Sequence, residues 1–281
     1  MKQPIVYIIF IGGAADKEPF VWGGERLPFQ NILVHNTMER VAECFCSQLK
    51  RHSAIKRYGC QLIDDFCKLD YLSYSEICFD SLKDFSPEEG SLTKPQDANF
   101  DKLLENIGAE TKVYIVGHSL GGWNGAHLSY ILSKFAVNVE YLVTLDPVGT
   151  GNHELALINP LIRLAKIYKH EPKPIAKKWI NIQAHHIDVS AKQINGTFED
   201  WIAWAGGQWE IDKCFPDVDE QICEVTNFSH SKAQLLFTYP TVKGYSASDD
   251  MVESVVNALV KYYKQQSSLL AHVKRWFTKL V

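Results

Sequence analysis

The sequence has no apolar run long enough to cross a membrane. Its most continuous block, Ile5-Val6-Tyr7-Ile8-Ile9-Phe10-Ile11, is seven residues long and runs into Gly12-Gly13-Ala14-Ala15-Asp16, whereas a span needs about 20. The same block lacks the length and the flanks of a secretory signal core, so synthesis in the cytoplasm is expected, with any export using another route. A basic excess is also missing. Lys and Arg total 29 against 33 Asp and Glu, a formal net charge of −4, which argues against a nucleic-acid partner. The seven cysteines, at 44, 46, 60, 67, 78, 214 and 223, are odd in number and form no C-x-x-C pair, so neither a zinc ribbon nor a secreted disulfide framework is indicated. The acidic stretch 210–224 lacks the glycine and ligand spacing of a calcium loop. No metal or cofactor is expected, and no repeat or low-complexity tract is present.

What remains is an ordinary globular composition, 46% hydrophobic and 22% charged over 281 residues, within the size of one α/β domain. Apolar runs predict strands at 5–11, near 76–79, at 112–116, 137–145 and 179–184, and near 222–225. Helical periodicity predicts helices at 38–53, with Thr37 as N-cap, and at 96–107, 119–135, 154–169, 231–237 and 249–280. Strands alternating with helices imply a mostly parallel sheet of about six strands with helices on both faces, as a single domain spanning 1–281.

The densest signal is Gly117-His118-Ser119-Leu120-Gly121-Gly122 between a buried strand and a helix. A G-x-S-x-G turn in that setting is a nucleophile elbow: the serine takes a strained backbone conformation, and the residues two before and two after it must lack a Cβ. A serine hydroxyl needs a histidine to accept its proton and a carboxylate to orient that histidine. In a parallel sheet these groups sit at the carboxyl ends of strands. Asp146, directly after the strand ending Val143-Thr144-Leu145, fits the acid; Asp188, beyond the following strand, is the alternative. His230, in the late loop Phe228-Ser229-His230-Ser231, fits the base. His118 is expected to pack beneath the site. The oxyanion donors are expected to be the amide of Leu120, after the nucleophile, and that of Ala14, or else Gly13, in the loop after the first strand.

These blocks resemble serine lipases and esterases of the α/β-hydrolase superfamily. Gly117-His118-Ser119-Leu120-Gly121-Gly122 is similar to the lipase form of the elbow, Tyr141-Leu142-Val143-Thr144-Leu145-Asp146-Pro147 to the segment carrying the triad acid, and Ser229-His230-Ser231 to that carrying the triad histidine. Ile9 to Lys17 resembles the oxyanion loop, with Gly12 where a histidine usually stands. The chain is also similar to compact bacterial lipases, including phospholipases delivered by type VI secretion. The resemblance implies a Ser-His-Asp acyl-enzyme mechanism on a lipid or phospholipid ester, and a cognate inhibitor protein if the chain is a secreted effector. A short-chain carboxylesterase or thioesterase is the alternative activity, and a non-catalytic binding protein on the same fold the alternative class.

Two further segments bear on substrate. Trp201, Trp204 and Trp209 fall within nine residues; the segment 198–225 is a candidate lid or acyl-chain wall, or else part of a packed helix. The end of the chain, 261–281, carries Lys261, Lys264, Lys274, Arg275 and Lys279 and no acid. Such a basic amphipathic helix packs on the domain or lies on an anionic membrane.

Overall fold

Strand β1 (Val6–Gly12) is buried at every residue, and its side chains alternate between two separate cores. Ile8 and Phe10 pack on one face of the sheet; Tyr7, Ile9 and Ile11 pack on the other. A strand covered on both faces has no polar positions to spare, which is why the run is continuously apolar. The structure, a computed structural model, describes residues 3–14, 16–17, 35–77, 98–149, 171–184, 200, 203, 206–208 and 215–278.

Five more strands complete the sheet: β2 (Cys67–Ser73), β3 (Lys112–His118), β4 (Val139–Leu145), β5 (Ala176–Ala184) and β6 (Val218–Thr226). Their order is β2-β1-β3-β4-β5-β6, and every neighbouring pair is parallel. The helices are α1 (Thr37–Arg51), α2 (Ser53–Tyr58), α3 (Gln61–Phe66), α4 (Ala98–Leu104), α5 (Leu120–Lys134), α6 (Ala233–Phe237) and α7 (Ala247–Thr278). Val41 and Phe45 of α1, Phe237 of α6 and Met251 and Val255 of α7 cover one face. Phe10, Phe45 and Phe237 meet there with ring centroids 5.8 to 6.4 Å apart. Phe100 of α4 and Trp123, Ala126 and Ile131 of α5 cover the other face. Burying each Val, Ile, Met or Phe side chain among these contributes about 1.5–3 kcal/mol. This is an α/β architecture, a parallel six-stranded sheet with helices on both faces.

Three local expectations need correction. The second strand lies at Cys67–Ser73 rather than near 76–79, where residues 74–77 form a turn. Strand β2 is at the edge of the sheet and only half-buried along most of its length, so polar Lys68 and Asp70 interrupt its apolar pattern. Thr37 is the first residue of α1 rather than its cap. The preceding Asn36 is left-handed (φ 47°) and makes no side-chain cap bond. The cap comes instead from Asp16, after β1. Its carboxylate accepts from the Thr37 amide and, at 3.1 Å, from the Met38 amide, satisfying two of the donors a helix start leaves open. Burial pushes the pKa of Asp16 up, against these amide bonds. Finally, β6 is longer than the strand expected near 222–225 and takes up the end of the candidate lid 198–225.

The expected helix at 154–169 lies outside the described residues. Helix α7 buries Met251, Val255 and Leu259 against the sheet; further on, Tyr262 meets Phe66 and Tyr263 meets Tyr58. Its side chains from 269 onward lie outside the described residues. Among those described, no helix is long and apolar enough to cross a membrane.

Because Asp16 ties the loop after β1 to the start of α1, Asp16→Ala should lower unfolding stability by about 1–2 kcal/mol. Asp16→Asn, which keeps an acceptor, should cost less. Urea denaturation of the three proteins measures this; an unchanged midpoint for Asp16→Ala would refute the capping account.

Candidate active site

The site is built at the carboxyl ends of β3, β4 and β5. His118 pairs with Leu145 and Leu145 with Ile182 across the strands. The ladder runs one residue further on each: the Ser119 amide donates to Leu145 O at 3.0 Å, and the Asp146 amide to Ile182 O at 2.7 Å. Ser119 and Asp146 are therefore the first residues past the ends of adjacent strands.

Ser119 has φ 57° and ψ −127°, a strained conformation for a residue with a side chain. The elbow's glycines make it sterically feasible. A Cβ on Gly121 would lie 2.3 Å from Ile11 O, and one on Gly117 2.2 Å from Gly121 O. The strained turn is anchored by α5, which is buried at every residue from Leu120 to Leu132. Asp146 is also left-handed (φ 46°), a conformation that aspartate tolerates better than most residues.

The three polar groups form one hydrogen-bonded chain. His230 Nε2 lies 3.0 Å from Ser119 Oγ, and His230 Nδ1 lies 2.5 Å from Asp146 Oδ2. A carboxylate only accepts, so Nδ1 carries the proton and Nε2 is left as the acceptor facing the serine hydroxyl. Asp146 is fully buried and its other oxygen is also satisfied. Oδ1 accepts from the Ala184 amide at 3.0 Å and from Gln208 Nε2, which also bonds Ala184 O at 3.1 Å.

The backbone of His230 is gripped from both sides. Its N–H donates to Asp200 Oδ1 at 2.6 Å, and its C=O accepts from His118 Nε2 at 2.7 Å. His118 therefore supports the His230 backbone by a specific bond and also lines the cavity. Burial, reinforced by the neighbouring His230 ring, pushes its pKa down to about 3, which keeps it neutral, and the carbonyl acceptor requires its proton on Nε2. Asp200 and Gln208 were missed from the sequence. Both act through non-local bonds, and neither stands in a motif or at a strand end.

The first residues after β1 pack against the serine. Gly13 is packed so tightly that a Cβ there would lie 2.6 Å from Ser119 Cβ. Ala14, His35, Thr37, Arg40, Ser119, His230 and Lys232 are on the wall of a cavity of about 310 Å³. Leu120 opens α5, so its N–H has no acceptor within the helix. Asp188, Trp201, Trp204 and Trp209 lie outside the described residues. Among those described, no cluster of His, Cys, Asp or Glu is arranged to hold a metal.

No family model and no curated protein matches the chain. Several solved structures are similar to it. The RedJ thioesterase from the prodiginine pathway of Streptomyces coelicolor is 10% identical, with a TM-score of 0.37 over 91% of this chain and 86% of its own. A carboxyl esterase of metagenomic origin is 10% identical, with a TM-score of 0.36 over 95% and 77%. A methylesterase from Arabidopsis is 14% identical, with a TM-score of 0.32 over 91% and 99%. The fold itself rests on the chain's own strand order and elbow.

Protonation of His118 separates the folded and unfolded states. The unfolded chain takes up a proton near 6.5, whereas the folded protein resists it to about 3. Stability from this group is therefore complete above pH 6.5 and is lost as the pH falls toward 3. The urea midpoint should drop over that window, and His118→Asn, which keeps a donor but does not titrate, should show a flatter dependence. Equal slopes for the two proteins would remove His118 from the account.

Proposed function

We propose that this protein is a serine hydrolase that cleaves carboxylic esters through an acyl-enzyme. The observation that carries the proposal is the continuous hydrogen-bonded chain from Ser119 Oγ through His230 to the buried Asp146 carboxylate, set at a strained elbow. In this reading Ser119 Oγ attacks the ester carbonyl carbon while His230 Nε2 takes its proton. Asp146 stabilises the imidazolium that forms. The amides of Leu120 and Ala14, with Gly13 as the alternative to Ala14, bind the oxyanion. The intermediate collapses, and His230 returns the proton to the leaving alcohol. Water, deprotonated by His230, then attacks the acyl carbon, and as the bond to Ser119 Oγ breaks His230 returns that proton to the serine, releasing the acid.

A lipid ester is the substrate class we favour, because the elbow and acid segments resemble those of lipases and the sequence carries a Trp-rich segment at 201–209. Contact of the basic C-terminal helix with an anionic membrane would fit that class, as would an inhibitor protein if the chain is an exported effector. A thioester or short-chain ester would use the same machinery.

A fluorophosphonate probe should label Ser119 in the folded protein and fail to label Ser119→Ala. Asp146→Asn should lower kcat by roughly 10³–10⁴, by analogy with the acid of other Ser-His-Asp triads, while Asp188→Asn should remain within a few fold of wild type. Hydrolysis of 4-nitrophenyl esters of graded chain length measures all of these. An unlabelled Ser119 in folded protein points to a non-catalytic binding protein, and reversed effects of the two Asp substitutions transfer the acid to Asp188.

A further inference from the structure

The cavity in front of Ser119 is enclosed on one side by the loop after β1 and the start of α1, and on the other by the His230 loop as it enters α6. Among its described wall residues Ala14 is the one aliphatic side chain, and two side chains carry positive charge. Arg40 comes from the first turns of α1 and Lys232 from the residue before α6. His35 and the hydroxyl-bearing Thr37 and Ser231 complete this part of the wall.

Among the described residues, neither Arg40 nor Lys232 forms an ion pair. The acid on the wall, Asp16, is 4% exposed, and its oxygens are turned to the Thr37 and Met38 amides. Asp146 and Asp200 lie behind His230, buried and bonded to it. Among the described residues, the charged groups left to face this cavity are therefore cationic, and they come from two separate elements.

We infer that Arg40 and Lys232 form an anion-recognising subsite, so that the ester delivered to Ser119 carries an oxyanion group, a phosphate or a carboxylate, between them. Thr37 and Ser231 supply neutral donors to the same group. Two cations on separate elements suit a ligand that presents oxygens in more than one direction, and an arginine adds a planar fork for two of them. The inference rests on the hydrolase reading of Ser119 for its kinetic consequence, and it deepens that reading by naming the substrate's charge.

The test compares matched esters that differ only in charge. On the acyl side, 4-nitrophenyl butyrate is paired with the 4-nitrophenyl monoester of succinate. On the alcohol side, glycerol monobutyrate is paired with monobutyryl glycerol 3-phosphate. The ratio of kcat/KM, anionic over neutral, is measured for wild type, Arg40→Gln, Lys232→Gln and the double variant. In wild type the anionic member should be preferred about 10- to 100-fold in at least one pair, the value of one or two charge-assisted hydrogen bonds. Each single substitution should reduce the ratio and the double variant should bring it near one. The pair that responds identifies which side of the ester carries the anion and whether it is a carboxylate or a phosphate. Hydrolysis of all four esters with no preference, or a preference that the double variant retains, overturns the inference while leaving the hydrolase reading standing. If no ester is cleaved, the hydrolase reading fails separately. Equilibrium titration with glycerol 3-phosphate and with succinate then decides the subsite: saturable binding lost in the double variant supports it, and no binding overturns it.

Discussion

Parallel pairing at the carboxyl ends of β3, β4 and β5 is the constraint from which the site follows. Because His118 is level with Leu145 and Leu145 with Ile182, the next residues, Ser119 and Asp146, emerge side by side where the strands end. A shift of one residue in either pairing would turn the Asp146 side chain away from His230, since neighbouring positions of a strand face opposite ways. The register is held because each strand is buried on both faces and its side chains have two cores to fill. The apolar packing that stabilises the sheet thus also sets the spacing of its polar groups.

A strained serine and a buried carboxylate both cost stability, and each is offset by what surrounds it. Ser119 is held at positive φ by the burial of α5 behind it and by glycines that let the β1 carbonyls approach. Asp146 has no exposure to solvent, but all its charge is directed into hydrogen bonds from His230, the Ala184 amide and Gln208. An unpaired buried carboxylate would be far more costly. His230 is on a loop rather than a strand, so its backbone needs its own support, which His118 and Asp200 supply from either side.

The sequence was most informative where structure is local. The elbow is legible because strand, turn and helix are contiguous and the glycine requirement acts over five residues. The central strands β1, β3, β4 and β5 are legible because burial of most of their residues on both faces leaves nearly continuous apolar runs. Strand β2 was misplaced because an edge strand tolerates Lys68 and Asp70. The cap of α1 was misassigned because its acceptor, Asp16, comes from the end of β1, and adjacency in sequence pointed to Thr37 instead.

The sequence by itself determined the type of sheet, the position of the elbow and a short set of polar candidates at strand ends and in the late loop, because these depend on periodicity and on backbone sterics within a few residues. It left Asp146 and Asp188 open as the acid. Tertiary structure decided which groups meet: it brings Asp146 to His230 and His230 to Ser119, and it recruits Asp200, Gln208 and Asp16. It also gathers Arg40 and Lys232 around one cavity. The bonded contacts among these residues span 21 to 111 positions of the chain, and lateral register and the packing of helices on the sheet, rather than any local pattern, bring them within bonding distance.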